Sequence, residues 1–562
     1  MPGCGVGVGS PKLANQFATA ISSKEQQNAA TIFFRDRTAE SGVLFAYHND
    51  ESAGRFAILE SMGGGVGLLD YDGDGRSDLF FSGGGKYSGD AVIGTPCGLF
   101  RNRGDWTFDD VTVGSGSGSS AHYSHGIAVA DCDEDGFADA LVTGYGGVSL
   151  YRNNGDGTFV ERVLAAGLND ELWSISAGWG DFDGDGALDL YLVHYVDWSV
   201  QKNPICSNSN GQRDVCPPQQ YEPLPDAVYF GNGDGTFRDG TREAGLRSDG
   251  KGIGVVIADM DIDGDIDIYV ANDTVPNFLY RNDGHGHFED VSLLSGTAVS
   301  DRGTPDASMG TDVGDFDLDG LPDLWVGNYE RETFALYRNQ GNCMFRHVSE
   351  STGIAALGAN YVAWGTRFLD VDLDGDEDLM VSNGHAIRFP TEAPARQRPL
   401  LLENVDGRRF INVAAQSEGY LSESHAGRGL ATGDLDGDGD EDVVFSNLNE
   451  PVAILSNETT SQGNWLATRI IGRDSCRSAV GSTAVATIGN RKLLRQIRGG
   501  SSYASSSDPT LHFGCGSAKV VDELTVRWPS GRTITLANVP CNLRLTIVEP
   551  RDSNPPFGES RR

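Results

Sequence analysis

The chain has 562 residues, and acidic residues outnumber basic ones 80 to 43, which gives a net charge of −37. A charge of this sign repels nucleic acids and anionic membranes and attracts cations, so nucleic-acid binding by the bulk of the chain is excluded. Hydrophobic residues make up 39% of the sequence, which is enough to build a buried core. No apolar run reaches the roughly 18 residues of a membrane-spanning helix, so no such segment is expected.

The first 31 residues are small and polar, and we expect them to form a disordered tail. They contain neither the charged start nor the apolar stretch of a signal peptide. The pair Gly3-Cys4 leaves two interpretations open: the remnant of a lipoprotein cleavage site, or an ordinary tail. Residues 551–562 are interpreted as a second tail.

A nine-residue pattern, D-x-D-x-D-G-x-x-D, dominates the sequence that follows. Its seven copies begin at Asp70, Asp131, Asp181, Asp259, Asp315, Asp370 and Asp434. A short apolar stretch precedes each copy, and an apolar or alternating run such as Leu188–Val193 follows it. The pattern therefore predicts a strand, a tight acidic loop and a second strand.

Two further strands complete each repeat. The third ends in Tyr-Arg-Asn or a close variant, as at Tyr151–Asn153, and the fourth opens with a Phe such as Phe159. Four short strands repeated seven times predict an all-β fold, a seven-bladed β-propeller over residues 32–462, with a solenoid as the alternative. The seventh repeat lacks its fourth strand, and residues 32–43 supply a spare one, so we expect this segment to close the last blade and the ring.

The acidic loops carry the chemistry of a cation site. Asp at positions 1, 3, 5 and 9, with Gly at position 6 and a carbonyl at position 7, would form an oxygen cage that suits Ca²⁺ better than Mg²⁺. No His or Cys occupies a ligand position, which argues against zinc or copper. The alternative is an acidic turn that binds nothing, but its clustered carboxylates would repel one another. About seven structural Ca²⁺ ions are therefore predicted.

The predicted ligands are four Asp side chains and the position-7 carbonyl of each loop. They are Asp70, Asp72, Asp74, Arg76 and Asp78; Asp131, Asp133, Asp135, Phe137 and Asp139; Asp181, Asp183, Asp185, Ala187 and Asp189; Asp259, Asp261, Asp263, Asp265 and Asp267; Asp315, Asp317, Asp319, Leu321 and Asp323; Asp370, Asp372, Asp374, Asp376 and Asp378; and Asp434, Asp436, Asp438, Asp440 and Asp442.

The nine cysteines include no C-x-x-C pair, so zinc and redox motifs of that kind are absent from the sequence. Cys206 and Cys216 flank a loop rich in Pro and Asn and are the best disulfide candidates. A further pair could form among Cys476, Cys515 and Cys541. A disulfide would indicate an exported protein; reduced, buried thiols are the alternative.

Residues 463–550 differ from the repeats because they contain no acidic loop and carry 11 Lys and Arg against 5 Asp and Glu. Strands are predicted at Asn464–Arg469, Leu493–Ile497, Leu524–Trp528 and Arg544–Val548. We interpret this region as a small β-sandwich-like domain. Its positive charge predicts contact with either the acidic propeller or a polyanionic glycan.

The repeats resemble the FG-GAP/VCBS repeats of integrin α-subunit propellers. In the C-terminal region, Arg498–Tyr503, Leu511–Gly514 and Arg527–Gly531 resemble the ASPIC/UnbV domain. Together, the two parts resemble the cartilage acidic protein family and its bacterial relatives. The resemblance implies an exported calcium-binding protein, and it carries over no catalytic residue.

No G-x-S-x-G, H-E-x-x-H or P-loop motif occurs, so enzymatic activity is not expected. The preferred hypothesis is a secreted, periplasmic or cell-surface protein whose calcium-stabilised propeller binds an extracellular protein or glycan, as in adhesion. One alternative is a polysaccharide-active enzyme or lectin that uses the central cleft. The other is a scaffold for a larger envelope complex.

Overall fold

A computed structural model describes residues 32–118, 122–357, 360–414, 417, 419–460 and 463–551 of the chain. Cys4 and both predicted tails lie outside the described residues, except residue 551. Within these residues the fold is all-β, which confirms the predicted fold class, and no helix has the length and hydrophobicity needed to cross a membrane.

Seven four-stranded antiparallel sheets, named blades 1 to 7, are built from the repeats. Their strands, from the first to the fourth, are Val66–Leu69, Asp78–Phe81, Gly98–Asn102 and Phe108–Asp110 (blade 1); Tyr123–Ala130, Asp139–Tyr145, Gly147–Asn153 and Phe159–Glu161 (blade 2); Ser174–Gly180, Asp189–His194, Ala227–Gly231 and Phe237–Asp239 (blade 3); Gly252–Ala258, Asp267–Asn272, Phe278–Asn282 and Phe288–Asp290 (blade 4); Ser308–Gly314, Asp323–Asn328, Ala335–Asn339 and Phe345–His347 (blade 5); Ala363–Leu369, Asp378–Asn383, Leu400–Val405 and Arg409–Asn412 (blade 6); and Gly427–Gly433, Asp442–Asn447, Ala453–Asn457 and Phe34–Asp36 (blade 7).

The blades form a ring because their first strands pack side by side in cyclic order, and the first strand of blade 7 packs against that of blade 1. The fourth strand of blade 7 comes from the start of the described chain. Phe34 pairs with Asn457 and Asp36 with Leu455, in antiparallel register. This is the pairing that the missing fourth strand of the seventh repeat predicts, and it gives blade 7 the same four strands as the other blades.

The other elements are short. Two hairpins pair Gly85–Ser88 with Ala91–Gly94 and Cys206–Ser207 with Arg213–Asp214. The α-helices are Thr38–Ser41, Leu59–Met62, Thr112–Ser115, Thr241–Ala244 and Ser292–Ser295, and the 3₁₀ helices are Glu51–Ala53, Val200–Lys202, Pro218–Gln220, Ile354–Leu357 and Gly419–Ser422.

The C-terminal region forms two sheets, called here the C-terminal module. One has the strand order Leu511–Gly516, Asn464–Ile471, Leu543–Val548, and the other has the order Arg491–Gln496, Thr483–Ile488, Val520–Arg527, Thr533–Pro540. The four predicted strands are present, and three more are added. Buried side chains of this module, Phe513 and Trp528 among them, share one hydrophobic cluster with Trp179 and Ile257 of the propeller.

A segment of the C-terminal module, residues 499–507, runs through the centre of the ring. The N–H groups of Leu68, Ile127 and Trp179 donate to the carbonyls of Ser506, Ala504 and Gly499 at 2.9, 3.0 and 2.9 Å. All three donors lie in first strands, which line the channel. The segment therefore occupies the centre of the channel and satisfies backbone groups that would otherwise face it.

The cysteines follow the sequence prediction in part. Cys206 and Cys216 form a disulfide in the insertion of blade 3. Cys476, Cys515 and Cys541 all carry free thiols, so the further pair considered among them is not formed. Cys476 and Cys515 are core residues, and burial raises the pKa of each thiol. The thiols of Cys515 and Cys541 interact with each other without being joined.

Candidate metal centre

Each acidic loop joins the first strand of a blade to the second, as residues 70–78 join Val66–Leu69 to Asp78–Phe81. Because the first strands surround the channel in the same orientation, all seven loops lie on one rim of the ring. We call it the loop rim. The other end of the same strands forms the opposite rim.

The loop of blade 2 shows how the pattern folds. Asp131 accepts a hydrogen bond from the N–H of Gly136 at 2.9 Å, and Asp135 accepts one from Phe137 at 3.0 Å. Asp139 accepts one from Cys132 at 3.0 Å. Gly136 has a φ of 101°, a conformation that only glycine adopts without strain, which explains Gly at position 6. The carboxylates thus fold the loop around themselves.

The folded loops bring the predicted ligands together. In the loops of blades 1 to 3, carboxylate oxygens from positions 1, 3 and 9 lie within 4.8 Å of one another, and in blade 4 those from positions 1, 3 and 5 do so. The residues are Asp70, Asp72 and Asp78; Asp131, Asp133 and Asp139; Asp181, Asp183 and Asp189; and Asp259, Asp261 and Asp263. The cation that these residues would bind stays a prediction, as does a role for the position-7 carbonyls.

The carboxylates fit a divalent cation because several of their buried oxygens have no other partner. The Oδ1 atoms of Asp70, Asp131, Asp181, Asp183 and Asp261 are buried and accept no hydrogen bond. Leaving a charged oxygen buried and unpaired is costly, and a hard cation that prefers oxygen ligands would remove this cost.

The pKa values of the loop carboxylates also favour a bound cation. Burial raises the pKa of Asp131, Asp259 and Asp315 to about 7, and neighbouring carboxylates add to the effect. Burial also raises the pKa of Asp78 and Asp189 to about 8. These groups resist ionisation unless positive charge is supplied close by, which a bound cation would do.

Three partners of the loops were not assigned from the sequence. The first is the Asn of the Tyr-Arg-Asn motif. Asn153 of blade 2 donates its side-chain amide to the carbonyl of Tyr71 in the blade 1 loop at 2.8 Å, and to that of Ala138 in its own loop at 3.2 Å. The Asn therefore connects neighbouring loops around the ring.

Six of the seven blades have this connection. The donor and acceptor pairs are Asn102 to Leu435, Asn153 to Tyr71, Asn282 to Phe182, Asn339 to Met260, Asn404 to Phe316 and Asn457 to Val371. Blade 3 has Gly231 at the corresponding position, so its side-chain link to blade 2 is missing.

The second partner is the Arg of the same motif. Arg101 lies 2.5 Å from Asp72 and 3.2 Å from Asp74, and Arg338 lies 2.6 Å from Asp317. These guanidinium groups supply part of the positive charge that the loops need. The recurrence of the Tyr-Arg-Asn motif after the acidic loops is the signal from which their pairing could have been found.

The third partner is a thiol. Cys343, in the turn before the fourth strand of blade 5, lies with Asp261 and Asp267 of the blade 4 loop, with ligand atoms within 4.8 Å of one another. It comes from a different repeat, so the pattern of the loop itself could not reveal it. The fourth loop therefore differs from an oxygen-only cage.

The C-terminal module sits on the loop rim. Arg477 lies 3.4 Å from Asp131, and Arg544 forms an ion pair with Asp434. Arg527 donates to the carbonyl of Asp263 at 2.9 Å. These contacts agree with the first of the two partners predicted for the basic module, the acidic propeller.

Comparisons with known proteins were made for both parts of the chain. The family described as FG-GAP-like repeat matches residues 70–142, 131–192, 259–326 and 315–381. The family described as ASPIC and UnbV matches residues 472–554, close to the predicted module at 463–550.

Whole-chain similarity extends further. Cartilage acidic protein 1 of Mus musculus is 25% identical over 521 residues, which cover 87% of this chain and 74% of the mouse protein. The Homo sapiens protein of the same name is 24% identical over 521 residues, covering 87% and 72%. Among solved structures, the BP39L lectin from Burkholderia pseudomallei matches with a TM-score of 0.42 and 9% identity, covering 72% of this chain and 97% of the lectin. The two family matches and the similarity to cartilage acidic protein 1 confirm the resemblance seen in the sequence: the chain contains FG-GAP-like repeats followed by an ASPIC and UnbV domain.

Proposed function

We propose that this protein is an exported, calcium-binding propeller that binds an extracellular protein or glycan, with about seven Ca²⁺ ions that stabilise the ring. The observation that carries the proposal is the set of buried loop carboxylate oxygens without a hydrogen-bond partner, on Asp70, Asp131 and Asp181 at position 1 and on Asp183 and Asp261 at position 3. Residues of positions 1, 3, 5 and 9 would hold the ion, and the ion would neutralise carboxylates that otherwise repel one another.

A structural role for calcium follows from where the loops lie. The C-terminal module covers part of the loop rim, where Arg477 and Arg544 contact Asp131 and Asp434. Asn153 and its counterparts tie each loop to its neighbour. Ions in these loops would therefore fix the blades to one another and support the module, instead of contacting a ligand.

Export is supported by the disulfide between Cys206 and Cys216, because such bonds persist in oxidising compartments. The free cysteines of the described residues do not weaken this argument. Five of the six are buried, where oxidation is slow.

Ligand binding is proposed for the opposite rim. Residues 499–507 occupy the centre of the channel and narrow it, and this weighs against the alternative of an enzyme or lectin that uses the central cleft. The insertion of blade 3, with its disulfide, stands on the opposite rim and shapes the surface there. The scaffold hypothesis would use the same surface, with a protein of the envelope as ligand.

The proposal is tested by thermal unfolding with calcium and with chelator. At free calcium about ten times Kd, each site would stabilise the fold by about 1.4 kcal/mol, and seven sites by about 10 kcal/mol. Chelation should therefore lower the melting temperature by tens of degrees, or unfold the ring. Asp181→Asn should lower the free energy of unfolding only by the contribution of one site. Asp90→Asn removes the same charge from an exposed turn and should leave the free energy of unfolding unchanged. The same melting temperature in calcium and in chelator would refute the calcium proposal.

A further inference from the structure

The opposite rim contains a cavity of about 370 Å³, which is in the size range of small-molecule sites. Ile253, Met309 and Trp364 form part of its wall from the starts of the first strands of blades 4 to 6. The Cys206–Cys216 disulfide lines it from the insertion of blade 3. The cavity therefore depends on an insertion that the other blades lack.

The wall is mainly apolar and aromatic. Tyr195 and Trp364 are buried, and Tyr329 is half-buried at the edge of the cavity. Tyr503 of the channel segment packs edge-to-face on Trp364, with ring centroids 4.8 Å apart, and donates to the carbonyl of Met62 at 2.8 Å. The channel segment thus supports the floor, and an apolar ligand body would find aromatic surface here.

The charged groups of the lining are all acidic. Asp214, Asp273 and Glu332 line the cavity, and no Lys, Arg or His is among the described lining residues. Burial raises the pKa of Tyr329, and the negative charges of Glu330, Asp273, Asp214 and Glu332 raise it further. Four carboxylates therefore act on the same side chain of the cavity wall, and the space beside it favours a cation.

Asp273 is the carboxylate best placed for a ligand. Both oxygens of Asp214 accept main-chain N–H groups, from Val215, Arg388 and Phe389. Glu332 is likewise held, by the N–H groups of Ala307 and Tyr329 at 2.9 and 3.1 Å.

Asp273, in contrast, accepts a side-chain hydrogen bond from the Tyr195 hydroxyl at 2.5 Å. Burial raises the pKa of Asp273 to about 7, Glu332 adds to this, and Tyr195 and Lys251 oppose it. Lys251 is itself engaged, because its ammonium donates to the carbonyl of Pro218 at 2.7 Å. Among the described residues no Lys, Arg or His forms an ion pair with the Asp273 carboxylate, and the charge of Lys251 acts on it only from farther away.

We propose that this cavity binds an organic ammonium group, with the cation against the Asp273 carboxylate and the attached apolar body against Tyr195, Tyr329 and Trp364. A cation beside a carboxylate forms a charge-assisted hydrogen bond, and the rings of Tyr195 and Tyr329 attract it as well. The Trp364 ring already carries the buried guanidinium of Arg428, 4.3 Å from its centroid, and so serves the apolar body. The ammonium group belongs either to a free amine or to a lysine side chain of a peptide. The inference deepens the proposed binding function by naming the chemistry of the ligand.

Calorimetric titration of the full chain in calcium at pH 8 tests the proposal. The probes are cyclohexylammonium, its neutral counterpart cyclohexanol, and Nα-acetyl-lysine amide. We expect cyclohexylammonium or the lysine derivative to bind at least tenfold more tightly than cyclohexanol. Tighter binding of cyclohexylammonium would assign the ligand as a free amine. Tighter binding of the lysine derivative would assign it as a lysine side chain of a peptide.

Three variants make the test specific. Asp273→Asn keeps the size of the side chain and should weaken ammonium binding at least tenfold, whereas Asp90→Asn should leave it unchanged. Ala386→Trp, which enlarges an uncharged lining residue and changes no acid, should abolish binding of all probes. Melting curves identify any variant that fails to fold.

Equal binding of cyclohexanol and the ammonium probes, no binding of either ammonium probe at millimolar concentration, or full binding by a folded Asp273→Asn variant would overturn the proposal. These outcomes are separate from those of the calcium experiment. Loss of calcium sites would show in the chelator melting curve, and failure of the cavity would leave that curve unchanged.

Discussion

Asn153 in blade 2 donates its side-chain amide to the main-chain carbonyl of Tyr71 in the acidic loop of blade 1, over 2.8 Å. The oxygen of the same side-chain amide, Oδ1, accepts a hydrogen bond from the N–H of Gly155 at 3.0 Å. One buried amide therefore joins two blades and also fixes the hairpin turn that follows it.

Replacing Asn153 with Ala should lower the free energy of unfolding by about 1–3 kcal/mol, because buried carbonyls lose their donor. The matched control is Asn154→Ala in the same turn, since the Asn154 amide is exposed and bonds only to Thr158 at 3.0 Å. Urea unfolding of both variants in excess calcium provides the comparison. Equal stability of the two would show that the connection between blades contributes nothing.

The channel segment should contribute to stability through Tyr503, which is fully buried. Tyr503→Ala removes the ring from Trp364 and should cost about 3–5 kcal/mol. Tyr503→Phe keeps the ring and loses only the hydrogen bond to Met62, at a cost of about 1 kcal/mol. Urea unfolding distinguishes the two variants. A Tyr503→Ala protein as stable as the wild type would mean that the segment is not held in the channel.

Ring closure should depend on Phe34, which is 3% exposed and packs in the core of blades 6 and 7. Phe34→Ala should cost about 3–5 kcal/mol. Arg35→Ala, one residue later on the same strand, removes an exposed ion pair with Glu458 of 3.0 Å and should cost at most about 1 kcal/mol. Thermal unfolding compares the two, and similar melting temperatures would contradict the closure of blade 7 by this strand.

Much of the fold could be predicted because residues at fixed places in each repeat mark where its strands begin. A Phe opens the fourth strand in every blade except blade 6, where the strand begins one residue earlier at Arg409, and an apolar stretch precedes each Asp loop. The spare strand at Phe34–Asp36 was visible as a copy of the fourth strand in the other repeats. Local pattern and global topology agree here, since each blade is one local unit.

The candidate site was only partly predictable, for a physical reason. Asp131 and Asp139 are close in sequence, so their spacing shows that they meet. Asn153 reaches Tyr71, and Cys343 reaches Asp267, across the boundary between blades, which no pattern within one repeat describes. The cavity around Asp273 was missed altogether because its lining comes from the insertion of blade 3 and from several other blades.

The pH dependence of stability should differ with and without calcium. Burial raises the pKa of Asp131 and Asp259 to about 7 and that of Asp189 to about 8 in the folded chain. The folded state then holds protons that the unfolded state has already released, so without calcium the free energy of unfolding falls as pH rises from about 4 to about 8. Calcium favours the ionised carboxylates and should remove this fall.

Thermal unfolding at pH 5 and pH 8, in calcium and in chelator, checks this expectation. The difference in melting temperature between calcium and chelator should be much larger at pH 8. Calcium binding near pH 6.5 should also release protons, which titration in buffers of different ionisation enthalpy measures. A calcium effect that is independent of pH would contradict the assignment of these carboxylates as ligands.

The central claim, that each acidic loop holds one calcium ion, is tested most directly by counting the ions. Equilibrium dialysis of the full chain against about 10 mM calcium, followed by elemental analysis of both compartments, should show an excess of about seven calcium ions per chain, and about six for Asp181→Asn. Extracellular sites of this chemistry bind with Kd of about 10⁻⁴–10⁻³ M, so free calcium must stay above that range while the ions are counted. Fewer than about four calcium ions per chain would contradict the account.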